Sequence, residues 1–203
     1  MVQEEFTYNI TKQDINELPL QCYEGPIELI ETLEKAEELE AEILAEKFLG
    51  FDTESKPSFR KGEYHPIALI QLSSEKKSYL FRISKIGYPP CLKKVLEDEN
   101  IVKIGLGINN DNREIKKDTG LNCNSFVDLE SIAKKLKFKQ RGVRALSAFF
   151  LKIRISKAAQ KTNWERTDLT EHQIRYAATD SWACLMIYNE MKASGYIPNN
   201  DAG

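Results

Sequence analysis

A chain of 203 residues, 41% hydrophobic and 30% charged, suits one domain of generous size with a proper buried core. No apolar run approaches the roughly 20 residues of a membrane span, and the acidic N-terminus lacks the basic start and apolar stretch of a secretory leader. The reading is a cytoplasmic protein with no membrane partner. The net charge of −2 says little, but its distribution says more. Asp and Glu crowd residues 1–54 against only Lys12, Lys35 and Lys47. Residues 131–170 reverse this, with Lys134, Lys135, Arg141, Arg144, Lys157, Lys161 and other basic residues facing only Glu165 and Asp168. Such a split is either a set of solvated helix faces or a surface for an anionic partner. Cys22, Cys91, Cys123 and Cys184 are widely spaced, with no C-x-x-C and no adjacent His, which suits reduced thiols better than a zinc site or a disulfide framework.

In chain order, residues 1–19 read as a leading arm, and residues 18–23 could form a strand. Gly25-Pro26 is a break. From 27 to about 43 the apolar set Ile30, Leu33, Ala36, Leu39 and Ile43 recurs at three- and four-residue steps among glutamates, the pattern of an amphipathic surface helix. A strand is expected to end at Asp52-Thr53-Glu54, with a loop at Lys56-Pro57-Ser58. Further strands are expected over 66–73 and at Tyr79-Leu80-Phe81. Pro89 opens a helix that closes near Asn100. Residues 101–104 form a buried strand feeding the turn Gly105-Leu106-Gly107. A helix over about 110–118 ends at Gly120, a short strand covers Phe126-Val127-Asp128, and helices follow through Leu136 and, after Gly142, through Phe150. Residues 156–167 are basic and aperiodic. Thr170 with Gln173 forms the capping box of a long last helix that stops at Gly195. Strands in the first half and helices in the second predict an α/β domain: a mixed sheet with helices on both faces, spanning 20–195, with a tail at 196–203.

Three stretches can carry chemistry. Alternate side chains on a strand share a face, so Asp52 and Glu54 stand on one side, about 6–7 Å apart along the chain. Two carboxylates so close are stable mainly with a cation between them; otherwise they are an ordinary acidic strand end. Tyr176 and Asp180 lie one helical turn apart on one face, with Ala177, Ala178 and Ala183 permitting close packing. Asp111 stands near a helix start, where a carboxylate is favourable in any case. The G-x-G of Gly105 and Gly107, with Asp128 some twenty residues on, imitates a dinucleotide fingerprint, although Asn110 holds its third glycine position. Dinucleotide binding therefore stays as a distant alternative.

Together, Phe51-Asp52-Thr53-Glu54, the Gly-Leu-Gly stretch with Asp111, and Tyr176-Ala-Ala-Thr-Asp180 resemble the three motifs of the DEDD 3′–5′ exonucleases, tyrosine subtype. The likeness is to the Werner-syndrome-type exonuclease domain, and then to ribonuclease D. Asn163-Trp164, Leu169-Thr170-Glu171 and Gln173 match the approach to the third motif. Ser55 departs from the pattern, standing where many relatives carry an aromatic residue. The resemblance implies a ribonuclease H-like fold and hydrolysis of phosphodiesters from a 3′ end with two divalent ions, Mg²⁺ or Mn²⁺. It assigns Asp52 to both ions, Glu54 and Asp180 to the first, and Asp111 to the second through water. Tyr176 would orient the attacking water. The basic region would hold phosphates, with Arg144, Lys161 and Trp164 as contacts. The expected partner is nucleic acid with a 3′ end. DNA is favoured over RNA, because the chain has no room for the extra helical RNA-binding domains of ribonuclease D. A ribonuclease D-like RNA-processing enzyme is the alternative, and a catalytically silent nucleic-acid-binding relative is more distant.

Overall fold

Strands covered on both faces are buried along their whole length, and all seven residues of β3 (Ile67–Ser73) are buried. In the computed structural model, which describes residues 7–60 and 62–198, β3 pairs antiparallel with β2 (Phe48–Ser55) and β4 (Ser78–Phe81). β1 (Ile27–Ile30) adds in parallel to β4. On the other side, β5 (Val102–Gly105) and β6 (Phe126–Asp128) extend the sheet in parallel. The order β1-β4-β3-β2-β5-β6 makes a mixed six-stranded sheet.

Helices cover both faces. On one, Leu49, Phe51, Ile70 and Leu72 pack against Ala36 of α2 (Leu33–Glu38), Ile43 of α3 (Glu40–Leu44), and Leu92, Val95 and Leu96 of α5 (Pro90–Glu97). On the other, Leu69 and Leu80 meet Ala177 and Ala178 of the last helix, Glu171–Ala193, whose Leu185 shares a cluster with Ile104. The Thr170–Gln173 capping box forms in both directions, as the sequence pattern requires. The remaining helices are α1 (Lys12–Glu17), α4 (Ile83–Ile86), α6 (Asn109–Thr119), α7 (Leu129–Lys135) and α8 (Val143–Leu146). The last helix is therefore α9. No helix among the described residues is long and apolar enough to cross a membrane.

The expected single helix over 27–43 is corrected. Ile27, Glu28, Leu29 and Ile30 pair with Ser78 to Phe81 as β1, and Thr32 then restarts the chain as N-cap of α2, accepting the Lys35 N–H. A run of four apolar-rich residues fits either period, and the open edge of β4 decides it. The possible strand over 18–23 shrinks to one bridge, Leu20 with Arg154. Beyond Gly142, α8 passes into a π-turn, Ser147–Leu151, that ends where Lys152 takes a φ of 57°. Residues 7–19 and 196–198 lie against the domain: Tyr8 stacks on Phe138 at 4.5 Å and meets Tyr196 edge-on at 5.6 Å. The rest of the arm and tail, residues 1–6 and 199–203, falls outside the described residues.

Candidate active site

The pleat of β2 turns Gly50, Asp52 and Glu54 toward α9, and the absence of a side chain at Gly50 sets how near α9 can come. A Cβ built there would lie 1.9 Å from the Ser181 carbonyl oxygen. Close approach delivers Asp180 to the strand. Asp52, Glu54 and Asp180 each offer a carboxylate oxygen, all within 4.8 Å of one another. Glu54 and Asp180 are only 9% and 5% exposed.

Three buried like charges are costly unless something compensates. Burial, then the charges of Asp180 and Asp111, push Asp52 well above the carboxylate range. Burial and the neighbouring Asp52, Asp180 and Asp111 push Glu54 up to about 10. Burial raises Asp180 to about 7, against a hydrogen bond from Tyr176 and the nearby Lys157. Oxygen donors gathered under such strain are the donor set of a hard divalent cation, so the cluster fits the metal ions its motifs imply. Asp111 is placed beside this group rather than within it. Its Oδ1 accepts the Thr53 hydroxyl at 2.5 Å, and burial raises it too. The Thr53 N–H donates to Asp52 Oδ1 at 2.9 Å.

Tyr176 is 7% exposed and lines the cleft beside Asp180. Burial, then Asp180, hold its proton far more tightly than usual. The group is a hydrogen-bond donor at any physiological pH and not a base. A cleft of about 260 Å³ opens over these residues, lined by Asp52, Glu54, Tyr176 and Asp180 with Arg144, Lys157 and Gln160.

The nucleic-acid contacts expected from sequence fare unequally. Arg144 reaches the cleft, tethered through Nη2 to Asn16 Oδ1 at 2.7 Å. Lys161 is exposed and does not line it. Trp164 is corrected: it is fully buried, 6.0 Å from the Tyr176 ring, in the cluster with Leu69 and Ala177. No base can reach that indole, because the helix and sheet it supports already occupy its faces. Lys157 and Gln160 were not singled out from sequence. Both lie in the aperiodic basic segment, where nothing local separates a cleft residue from a solvated one. The dinucleotide reading also finds its acidic residue occupied. Asp128 accepts the Gly107 N–H at 2.8 Å and caps α7.

Comparison with known proteins places the chain in a family. Residues 27–195 match the family model for the 3′–5′ exonuclease domain. The mouse (Mus musculus) bifunctional 3′–5′ exonuclease/ATP-dependent helicase WRN is 38% identical over 149 residues, which cover 70% of this chain and 11% of that protein. The chain thus spans a small part of that relative, and 52% of a 3′–5′ exonuclease from Arabidopsis thaliana. Among solved structures, the EXO domain of Aedes aegypti Nibbler superposes with a TM-score of 0.76 at 19% identity, over 85% of this chain and 91% of that one. Escherichia coli RNase D gives 0.72 at 24% identity, over 85% and 47%. At those identities the two structures speak for the fold, ribonuclease H-like, as its motifs implied. With the matched segment running from β1 through α9 and holding every motif of the site, the chain belongs to the 3′–5′ exonuclease family.

Proposed function

We propose that this chain hydrolyses phosphodiester bonds one nucleotide at a time from the 3′ end of a nucleic-acid strand, with DNA as its preferred substrate and Mg²⁺ or Mn²⁺ as its cofactor. The observation that carries the proposal is the convergence of Asp52, Glu54 and Asp180 within 4.8 Å, at the floor of a cleft. These three residues would hold one divalent ion, and Asp52 with Asp111 a second. Such ions, when bound, supply a nucleophile at neutral pH and offset the charge of the phosphate.

The chain's own groups do the rest. Tyr176 keeps its proton, so its hydroxyl can donate to and orient a water or a phosphate oxygen near Asp180. Lys157, exposed beside Asp180, and Arg144, anchored to α1, face the cleft and attract the strand's phosphates. Trp164 acts by holding the Tyr176 ring in place.

The preference for DNA rests on the Werner-type likeness in sequence, which stands ahead of the ribonuclease D likeness. RNA is the second reading. It is favoured by the shared fold of Escherichia coli RNase D, an exoribonuclease involved in structured RNA processing. End-labelled DNA and RNA of one sequence, with and without Mg²⁺ or Mn²⁺, test both readings. The expected result is a single-nucleotide ladder from the 3′ end, faster on DNA and abolished by chelation. Equal or faster loss of RNA overturns the substrate preference, and digestion that survives chelation overturns the reading of the site.

A further inference from the structure

Gln71 stands directly opposite Asp52 in the β2–β3 register. Directly paired residues of an antiparallel ladder share a face, with Cβ atoms about 4.5–5.5 Å apart. The Gln71 side chain is therefore beside the carboxylate cluster, in the layer between the sheet and α9. It is fully buried, and neither Oε1 nor Nε2 has a hydrogen-bond partner. A buried amide with both ends unpaired is rare and needs an explanation.

Among its directly paired and same-strand neighbours one candidate is left. Along β3 on the same face come Leu69 and Ser73, and across on β4 comes Leu80. Both leucines are apolar. The Ser73 hydroxyl is engaged with Ser78 at 2.9 Å and with Ser181 at 2.6 Å. The Ser181 hydroxyl is further engaged with the carbonyls of Ala177 and Ala178. Asp52 has capacity to spare: Oδ1 takes the Thr53 N–H, and an ionised carboxylate accepts several donors more.

We propose that Gln71 is a positioning residue, whose Nε2–H donates to the Asp52 carboxylate when Asp52 is ionised around a divalent cation and so fixes the orientation in which Asp52 holds it. The proposal rests on the metal-dependent reading of the site. Groups that orient a metal ligand from behind typically change metal affinity by about 10- to 100-fold when removed. A core filler would behave otherwise, since exchanging an unpaired amide for an apolar chain of similar volume leaves a fold as stable or more so.

The test uses the full chain with Gln71→Met, and Gln71→Leu as the second variant. Mn²⁺ affinity is measured by calorimetry, the metal-free melting temperature by circular dichroism, and kcat and KM on a labelled strand. The expected result is a melting temperature equal to or above wild type, Mn²⁺ binding weakened at least tenfold, and kcat lowered at unchanged KM. In an Asp52→Asn background, Gln71→Met adds no further loss of Mn²⁺ affinity. Two results overturn the proposal: Mn²⁺ affinity and kcat within about twofold of wild type, or a loss of metal affinity that merely follows a loss of metal-free stability in both variants. Wild-type protein that binds no Mn²⁺ at all overturns the reading of the site itself, so the two failures are told apart by the wild-type titration.

Discussion

Tyr176 and Trp164 touch, yet the structure gives them opposite kinds of work. The Tyr176 hydroxyl is the only polar atom of its ring, and the residue lines the cleft beside Asp180. Tyr176→Phe should leave stability and Mn²⁺ affinity near wild type and slow single-turnover cleavage about a hundredfold, the cost of a misplaced reacting group. A rate within about threefold of wild type would remove Tyr176 from the chemistry. Trp164→Ala empties a fully buried site and should cost about 3–5 kcal/mol of stability in a urea melt. Lys157→Ala, at an exposed position on the cleft, should leave that melt unchanged. It should instead weaken binding to a single strand and flatten its salt dependence by about one unit of slope. A salt slope equal to wild type would place Lys157 outside the path of the strand. Sequence separated the carboxylates and Tyr176 from their surroundings because their spacing is itself the signal. It could not separate Trp164 from Lys157, because burial is not written in a basic aperiodic segment.

The unit of the site is a strand and a helix held at one distance. β2 supplies Asp52 and Glu54, α9 supplies Tyr176 and Asp180, and Gly50 faces the backbone of Ser181 at the point of contact. The obstacle to a Cβ at Gly50 is a carbonyl on a rigid helix, not the end of a flexible side chain. Gly50→Ala should therefore displace α9 rather than be absorbed, at a cost of about 1–3 kcal/mol from overpacking. Activity should fall further than stability, because Asp180 moves away from Asp52 and Glu54. Thermal melting together with Mn²⁺ titration of the folded variant checks this; unchanged metal affinity would show that the helix position is not what assembles the carboxylates. α9 itself was legible down to its cap, since a capping box, a long periodic run and a terminal glycine agree with one another. Residues 27–43 were not, because Ile27 to Ile30 satisfy the helical period and the strand equally and only β4 chooses between them.

At the scale of the whole molecule, the site works against the fold until a cation arrives. Carboxylates that ordinarily lose their protons near pH 4 keep them to about 7 at Asp180 and about 10 at Glu54. Between those limits the folded state binds more protons than the unfolded one, so stability falls as pH rises from about 4 toward 10. The metal-free protein should melt at a lower temperature at pH 8.5 than at pH 6. Saturating Mg²⁺ should raise the melting temperature more at pH 8.5, where the cation replaces protons that folding would otherwise have to retain. A metal-induced shift that is equal or smaller at the higher pH would contradict this coupling.

The chemistry was legible only through the family resemblance that one-dimensional order carries: two carboxylates two residues apart, one after a glycine turn, and a Tyr and Asp one helical turn apart, in that succession. Strand and helix periods place each pair on a face without reference to the rest of the chain, and the resemblance supplies what such faces do. Proximity between segments did not follow from it. That Asp180 meets Asp52, from the far end of the chain, depends on Gly50 and Ser181. That Asp111 stands by Thr53 rather than inside the cluster depends on how the glycine turn seats α6. The exposure of Lys157 and the burial of Trp164 and Gln71 depend on the layer between sheet and α9. Those are distances and depths between elements, and they exist only once long-range packing has chosen which faces meet.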